Sequence, residues 1–439
     1  MASVKVGIIG LGTVGRGTLD VLRRNATEIS RRIGRPLQVR QVVVRNPARL
    51  EGLDARDFDV VQDPFALVND PGIDVVVELI GGIEPARSLV LAALHNGKHV
   101  VTANKALLAL HGNEIFALAQ EKGLVVAFEA AVAGGIPIIK AVREGLAGNR
   151  IEWLAGIING TCNYILTQMR SKGCGFDTAL AEAQALGYAE ADPTFDIDGI
   201  DSAHKLTILG AIAYGVPLEF PAVHVEGIRS LQGIDVTYAE ELGYRIKLLG
   251  IARRTAQGIE MRVHPTLVPA AHLLANVEGP FNAVLVEGDA VGQTLYHGRG
   301  AGAEPTASAV VADLVDVART LTADPANRVP HLAFQPGQLA SVPVLPMASV
   351  ESAYYLRIQV LDKPGVLAQI TRILADEEIS IEAMIQKEAP DGAESVPVVL
   401  LTQRTLEGRM NRAISALESL PVVNHSIIRL RVETLTGSH

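Results

Sequence analysis

The pattern of apolar and polar positions changes character along the chain. Val4–Ile9 is a continuous apolar run, the mark of a strand buried on both faces, and Thr18–Arg24 behind it has helical spacing. The same alternation predicts strands at Leu37–Val44, Ile73–Leu79, His99–Thr102 and Leu124–Phe128, with helices at Pro85–Asn96 and Glu114–Lys122. Buried strands separated by helices imply an α/β domain with a doubly wound parallel sheet.

After Phe128 the alternation stops. The Gly-rich stretch Phe128–Pro137 reads as a hinge before a helix at Ile138–Leu146. A strand at Ile151–Ile158, a buried helix from Leu206, and strand-like runs at Val223–Ile228, Arg245–Arg253, Glu260–Leu267, Ala283–Val286 and Gln293–Tyr296 predict an α+β region. Its open sheet has a face that a dimer can use. A second Gly-rich loop, Gly298–Ser308, precedes a helix through Leu321 that is expected to return to the first domain. Five prolines between 324 and 350 mark a semi-rigid linker. The tail reads βαββαβ: strands at Tyr354–Leu361, Ile379–Gln386, Val396–Thr402 and Val422–Val432, helices at Val366–Glu377 and Gly408–Leu420. The expected domains are 1–134 (with helix 303–322), 135–323, a linker at 324–350, and 351–439.

Composition narrows the class. With 439 residues, 48% hydrophobic and 20% charged, the chain suits about three domains with sizeable cores. A net charge of −9 argues against nucleic acid or an anionic membrane as partner. No apolar run approaches the ~18 residues of a membrane helix, and the N-terminus enters a strand without a basic leader, so a cytoplasmic protein is expected. Cys162 and Cys174 offer neither a disulfide framework nor metal spacing.

The candidate chemistry begins at Gly10-Leu-Gly-Thr-Val-Gly15, a G-x-G-x-x-G between strand and helix. The first Gly makes the turn, the second admits a pyrophosphate, and the third lets helix and strand pack. Gly10, Gly12, Thr13, Val14 and Gly15 are therefore the expected dinucleotide contacts of a Rossmann-type domain. Arg45 stands where an acid would bind the ribose. It suits a 2′-phosphate and favours NADP over NAD, with Arg49 nearby. The long Gly15–Arg45 spacing implies a long first helix or an extra turn. Gly81-Gly82 and Asn104-Lys105 fall at strand ends, where Lys105 can reach a cofactor or substrate. Glu129, with nearby carbonyls, reads as a hard-cation ligand or as a plain turn carboxylate. Asn159, Thr161 and Asn163 supply small polar groups. Cys162 has no neighbouring His to activate it and reads as a small buried residue.

The densest feature is Gly187–Lys205. Glu190, Asp192, Asp196, Asp198 and Asp201 fall within twelve residues, and Lys205 lies one helical turn beyond Asp201. An EF-hand register from Asp196 fails, because its Gly and Glu positions hold Asp201 and Thr207. The plain alternative is an acid-rich first helical turn favoured by the helix dipole.

These motifs, in this order, resemble the homoserine dehydrogenase family with a C-terminal ACT (ferredoxin-like) domain, and the resemblance spans essentially the whole chain. Its most specific parts are Gly10–Gly15, Thr102–Lys105, Phe128–Ile139, Asn159–Thr161, Gly187–Lys205 and Gly298–Pro305. The resemblance implies reversible NAD(P)-dependent oxidation of L-homoserine to L-aspartate 4-semialdehyde, in threonine and methionine synthesis. It makes Lys205 the proton-transfer lysine, Asp201 its partner and a substrate contact, and Lys105 a second lysine near cofactor and substrate. Glu190 becomes the acid for the substrate ammonium, with Thr161 beside it. Gly187 and Gly302 line the cofactor. Glu129, Val132, Gly134 and Ile136 become a monovalent-cation site, with sodium the expected ion. Asp362–Ala368 resembles the ACT ligand loop, for which threonine is the implied feedback ligand; Ser380 stands where many such loops carry Asn. A homodimer or homotetramer is implied. The alternatives are an aspartate-semialdehyde dehydrogenase, which needs an activated Cys and a phosphate site, and a non-catalytic amino-acid sensor, which would not need both Lys105 and Lys205.

Overall fold

The apolar run at the N-terminus forms β1 (Val4–Ile9), and Gly12 caps α1 (Thr13–Arg24) directly behind it. The computed structural model describes residues 3–53, 55–388 and 394–435. They divide into two compact units: residues 1–152, 204–220 and 282–342 in the first, and 153–203, 221–281 and 343–439 in the second.

In the first unit α1 breaks at Asn25 and a separate α2 (Ala26–Ile33) follows, closed by a left-handed Gly34. This extra helix accounts for the long Gly15–Arg45 spacing. β2 (Leu37–Val43), β3 (Asp59–Val61), α3 (Pro64–Asn69), β4 (Val75–Glu78), α4 (Ala86–His95), β5 (His99–Thr102), α5 (Lys105–Glu121) and β6 (Val126–Ala127) complete the alternation. The six strands lie in the order β3-β2-β1-β4-β5-β6, and every pairing is parallel. The sheet is thus the doubly wound parallel sheet expected. Sequence periodicity did not reveal β3 and α3, and it started α5 nine residues late. A short α6 (Ile138–Lys140) continues into a π-helical turn at Ala141–Gly145.

β7 (Ile151–Ile157) opens the second unit's sheet. α7 (Gly160–Lys172), α8 (Phe176–Ala185) and α9 (Thr194–Ile197) follow, and the chain passes back to the first unit within α10 (Ile200–Tyr214). Only His224–Val225 of the expected Val223–Ile228 strand pairs, as β8. α11 (Gly233–Glu241), absent from the sequence reading, begins with a capping box between Gln232 and Asp235. β9 (Tyr244–Arg254) and β10 (Ile259–Pro269) form a long antiparallel hairpin.

The chain then adds β11 (Phe281–Gly288), β12 (Gly292–Arg299) and α12 (Ala303–Thr320) to the first unit. α12 buries Ala307, Val310 and Leu314 in the same core as Val6, Ile8 and Leu19. The Pro-rich stretch is not a bare tether: the Phe334 ring packs on Gly215, and Ala340 N–H donates to Gly215 O at 2.7 Å.

The tail is β13 (Glu351–Leu361), α13 (Val366–Asp376), β14 (Ile381–Gln386), β15 (Ser395–Thr402), a two-residue β16 (Thr405–Leu406), α14 (Glu407–Glu418) and β17 (Ile428–Val432). The order βαββαβ is the expected ACT arrangement. β17 is shorter than the Val422–Val432 run suggests. It lies between β13, antiparallel, and β10, parallel, so one sheet runs β7-β9-β10-β17-β13-β15-β14 through the second unit.

Candidate active site

The glycine loop of the first unit is fixed by space as well as by conformation. Gly10 has φ +106°, and an added Cβ would meet the Leu79 carbonyl carbon at 2.9 Å. A Cβ on Gly15 would overlap the Gly10 carbonyl oxygen, so the helix can approach the turn only with Gly there. Gly12, in contrast, has nothing within 4 Å of its missing Cβ. That open face lies at the N-terminus of α1 beside the exposed Thr13 and half-buried Val14, where unpaired amides attract an anion. The residues present therefore fit a dinucleotide pyrophosphate. Gly302 caps α12 with φ +125°, and a Cβ added at Gly17 would meet the Ala303 carbonyl oxygen at 2.6 Å, so the second Gly-rich loop lies against α1. Arg45 is exposed just past β2.

The neighbouring strand ends are joined by an acid that sequence reasoning missed. Register aligns Ile9 with Glu78 and Glu78 with Thr102, which brings Gly10, the Gly81-Gly82 loop and Asn104-Lys105 to one end of the sheet. The fully buried Glu78 carboxylate accepts from Ile80 N–H (2.9 Å), Gly81 N–H (3.2 Å) and Thr102 Oγ1 (2.7 Å). The Asn104 amide donates to Gly82 O (2.7 Å), and its oxygen caps α5 at Leu107 N–H (3.1 Å). Lys105 is thereby held as the first residue of α5, partly exposed.

Glu129 is buried, and both its oxygens are engaged by the amides of Ile139 and Lys140, each at 2.9 Å. Its own N–H donates to buried Asp313 at 2.7 Å. Burial raises the pKa of Glu129 and pushes the Asp313 carboxyl up to about 7. Ala133 and Gly134 are both left-handed (φ 55° and 51°), a wound backbone that is costly for Ala and typical of ligand clamps. Val132, Gly134 and Ile136 are buried beside it. Among the described residues no three His, Cys, Asp or Glu groups are placed to hold a metal. A cation here would therefore rest on backbone carbonyls. Added positive charge there would favour the ionised form of both buried carboxyls.

In the second unit, Asn159 caps α7 through Cys162 N–H (2.8 Å), and its amide spans Asp196 (2.7 Å) and buried Asp201 (2.8 Å). Thr161 Oγ1 donates to Tyr188 O at 2.7 Å, beside left-handed Gly187. Glu190 is exposed, and its carbonyl is held by the Gln184 amide at 3.0 Å. Thr161, Gly187 and Asp201 thus lie on elements tied by direct bonds, with the Glu190 backbone pinned to α8. Asp201 and Lys205 are one turn apart on α10, and Lys205 is partly exposed. Cys162 is buried with its thiol on Asp196 O at 3.2 Å, as expected of a packing residue rather than a nucleophile.

Residues 10–129 match the model of the homoserine dehydrogenase NAD-binding domain, residues 137–315 that of homoserine dehydrogenase, and residues 354–419 that of the ACT domain. A homoserine dehydrogenase from Pseudomonas aeruginosa is 62% identical over 435 residues, covering 99% of this chain and 100% of that protein. This chain belongs to the homoserine dehydrogenase family. A Neisseria gonorrhoeae homoserine dehydrogenase is 56% identical over 99% of this chain and 100% of its own length. The crystal structure of a Thiobacillus denitrificans homoserine dehydrogenase superposes with a TM-score of 0.95 at 64% identity, covering 99% of each chain.

As a member of the homoserine dehydrogenase family, the chain is an NAD(P)-dependent oxidoreductase. The family's ACT domain here carries a pocket of about 150 Å³ at the β13–α13 turn, lined by Leu361, Asp362, Lys363, Gly365, Val366 and Gln386 among others. Gly365, which helps line that space, is left-handed (φ 89°) and caps α13. Among the described residues no helix is long and apolar enough to cross a membrane.

Proposed function

We propose that the chain interconverts L-homoserine and L-aspartate 4-semialdehyde in threonine and methionine synthesis. The observation that carries this is the start of α10, where Asn159 fixes buried Asp201 one turn from Lys205. When bound, the nicotinamide supplies the hydride acceptor or donor. The chain manages the remaining charge. In the oxidative direction a neutral Lys205 amine takes the substrate hydroxyl proton. In the reductive direction its ammonium form returns that proton to the aldehyde oxygen, where negative charge builds. Asp201 orients Lys205 and touches substrate, Glu190 pairs with the substrate ammonium, Thr161 lies beside it, and Lys105 lies near cofactor and substrate.

In the same reading, NADP or NAD binds along Gly10, Gly12, Thr13, Val14, Gly15, Gly187 and Gly302, with NADP preferred through Arg45. Sodium sits among Glu129, Val132, Gly134 and Ile136. The domains are 1–134, 135–323 and 351–439, with 324–350 between the last two. The ACT pocket takes threonine as a feedback inhibitor. The assembly is a cytoplasmic homodimer or homotetramer without nucleic-acid or membrane partners.

A spectrophotometric assay with homoserine and each coenzyme tests the reaction itself; absence of coenzyme reduction with both sinks the proposal. The coenzyme preference has its own test. A charge-assisted bond to the 2′-phosphate contributes ~1.5–3 kcal/mol, so Arg45→Ala is expected to raise the KM for NADP about 10- to 100-fold and leave that for NAD unchanged. An unaltered KM for NADP removes Arg45 from that role.

A further inference from the structure

The underside of the acid-rich run rests on the segment after β8, and that segment is gripped by the C-terminal strand. Ile228 N–H donates to Ile197 O at 2.8 Å, and Arg229 Nε donates to Asp198 at 3.1 Å. Gly227 packs so closely that an added Cβ would overlap the Ile197 carbonyl oxygen and meet Asp198 Cα at 2.5 Å. Gly199, left-handed at φ 85°, leaves room in turn for Val225 and the Glu226 carbonyl. The two segments are thus in backbone contact along Ile197–Gly199, between Asp196 and Asp201.

Glu226 anchors the gripping side. Its amide donates to Val263 O on β10 at 2.8 Å, and its carboxylate receives both terminal nitrogens of Arg431, each at 2.8 Å. Arg431 is fully buried on β17 and also binds Glu407 at the start of α14, through Nε at 2.9 Å. Glu407 in turn accepts from Tyr354 on β13 at 2.8 Å, and Arg429 adds contacts to both acids. Bidentate guanidinium–carboxylate pairing fixes orientation as well as distance, which a surface ion pair does not. A position so over-determined holds the 224–229 segment at one height beneath the acid run.

We propose that Glu226 and Arg431 are positioning residues for substrate: through Gly227 and the 197–199 backbone, the C-terminal strand sets where the Asp196–Asp201 part of the acid-rich run presents its carboxylates. This rests on the reading of that run as the substrate site. The residues touch no substrate themselves. Their effect is geometric, and a small misplacement of a substrate-holding group costs up to about a hundredfold.

The test is steady-state kinetics on the full chain with Gly227→Ala, Glu226→Gln and, as a direct probe of the acid run, Glu190→Gln. Gly227→Ala wedges the contact directly and keeps every side chain of the Glu226–Arg431–Glu407 set, so it remains informative if Glu226→Gln fails to fold. Expected for Gly227→Ala and Glu226→Gln is a rise of about ten- to a hundredfold in KM for homoserine, with KM and the titrated dissociation constant for NADPH within about twofold of wild type. Glu226→Asp, which keeps the charge, is expected to recover part of the loss. A folded Gly227→Ala enzyme with wild-type KM for homoserine overturns the inference while Glu190→Gln still raises it. If Glu190→Gln leaves that KM unchanged, the substrate-site reading falls and the inference with it.

Discussion

Lys205→Ala is expected to lower kcat by about 10²–10⁴-fold in both directions while leaving coenzyme binding intact, since general acid–base catalysis contributes that much. The side chain stands partly exposed on α10, one turn beyond a buried Asp201 that Asn159 fixes in place. In the proposed role, hydride transfer to the aldehyde without a proton donor would leave an alkoxide, the costly state that the lysine would remove. Lys205→Arg is expected to fail nearly as badly, because a guanidinium keeps its proton and cannot act as the base for homoserine oxidation. The measurement pairs steady-state rates with fluorescence titration of NADPH and a circular-dichroism spectrum. A Lys205→Ala enzyme that turns over within tenfold of wild type removes this lysine from the chemistry.

Much of the nucleotide half is legible in the sequence because its constraints are local. Gly10, Gly12 and Gly15 each answer to a turn, an open face or a contact within six residues, and the flanking strand and helix carry their own periodicity. Asn104 and Asn159 likewise cap the helices they precede. Glu78 is illegible for the opposite reason. It ends an apolar strand with no marker, and one of its partners, Thr102, arrives from a neighbouring strand only when the sheet forms.

α7 and α11 escaped notice. α7 does carry a helical stripe, with buried Cys162, Ile165, Leu166 and Met169 at i, i+3, i+4 and i+7, but it starts in the small polar residues Asn159–Asn163, which read as a strand-end loop. α11 buries an acid, Asp235, that is paired with Arg357 of β13 at 2.6 Å. The interleaving of β17 between β10 and β13 is also invisible, since strand order in a sheet depends on pairings far apart in the chain. The parts of the candidate site that depend on such pairings are the ones that composition and spacing cannot supply.

The largest stability effect is expected from Glu433, just past β17. Its carboxylate is 1% exposed and accepts from Arg262 at 2.7 Å and Arg253 at 3.1 Å. Arg262 is fully buried and binds Glu260 at 3.1 Å as well, with His264 beside it at 2.9 Å. Burial, with the Arg431 and Arg262 guanidiniums, holds that imidazole well below its ordinary pKa, so it brings no compensating or competing charge at neutral pH. Glu433→Ala leaves a buried guanidinium with one carboxylate instead of two, and removing one partner of such a set costs about 3–5 kcal/mol. Burial opposes ionisation of Glu433, but Arg262 and Arg253 outweigh it and lower its pKa to about 2. A group depressed on folding stabilises fully above its unfolded value near 4.5 and loses that contribution as pH falls through about 2. The difference between wild type and Glu433→Ala in urea unfolding is therefore expected to be full at pH 7, to shrink below about pH 4.5 and to be nearly gone at pH 2. A difference that stays constant over that range would mean Glu433 acts by packing alone, and a difference under about 1 kcal/mol at pH 7 would mean Glu260 already balances Arg262.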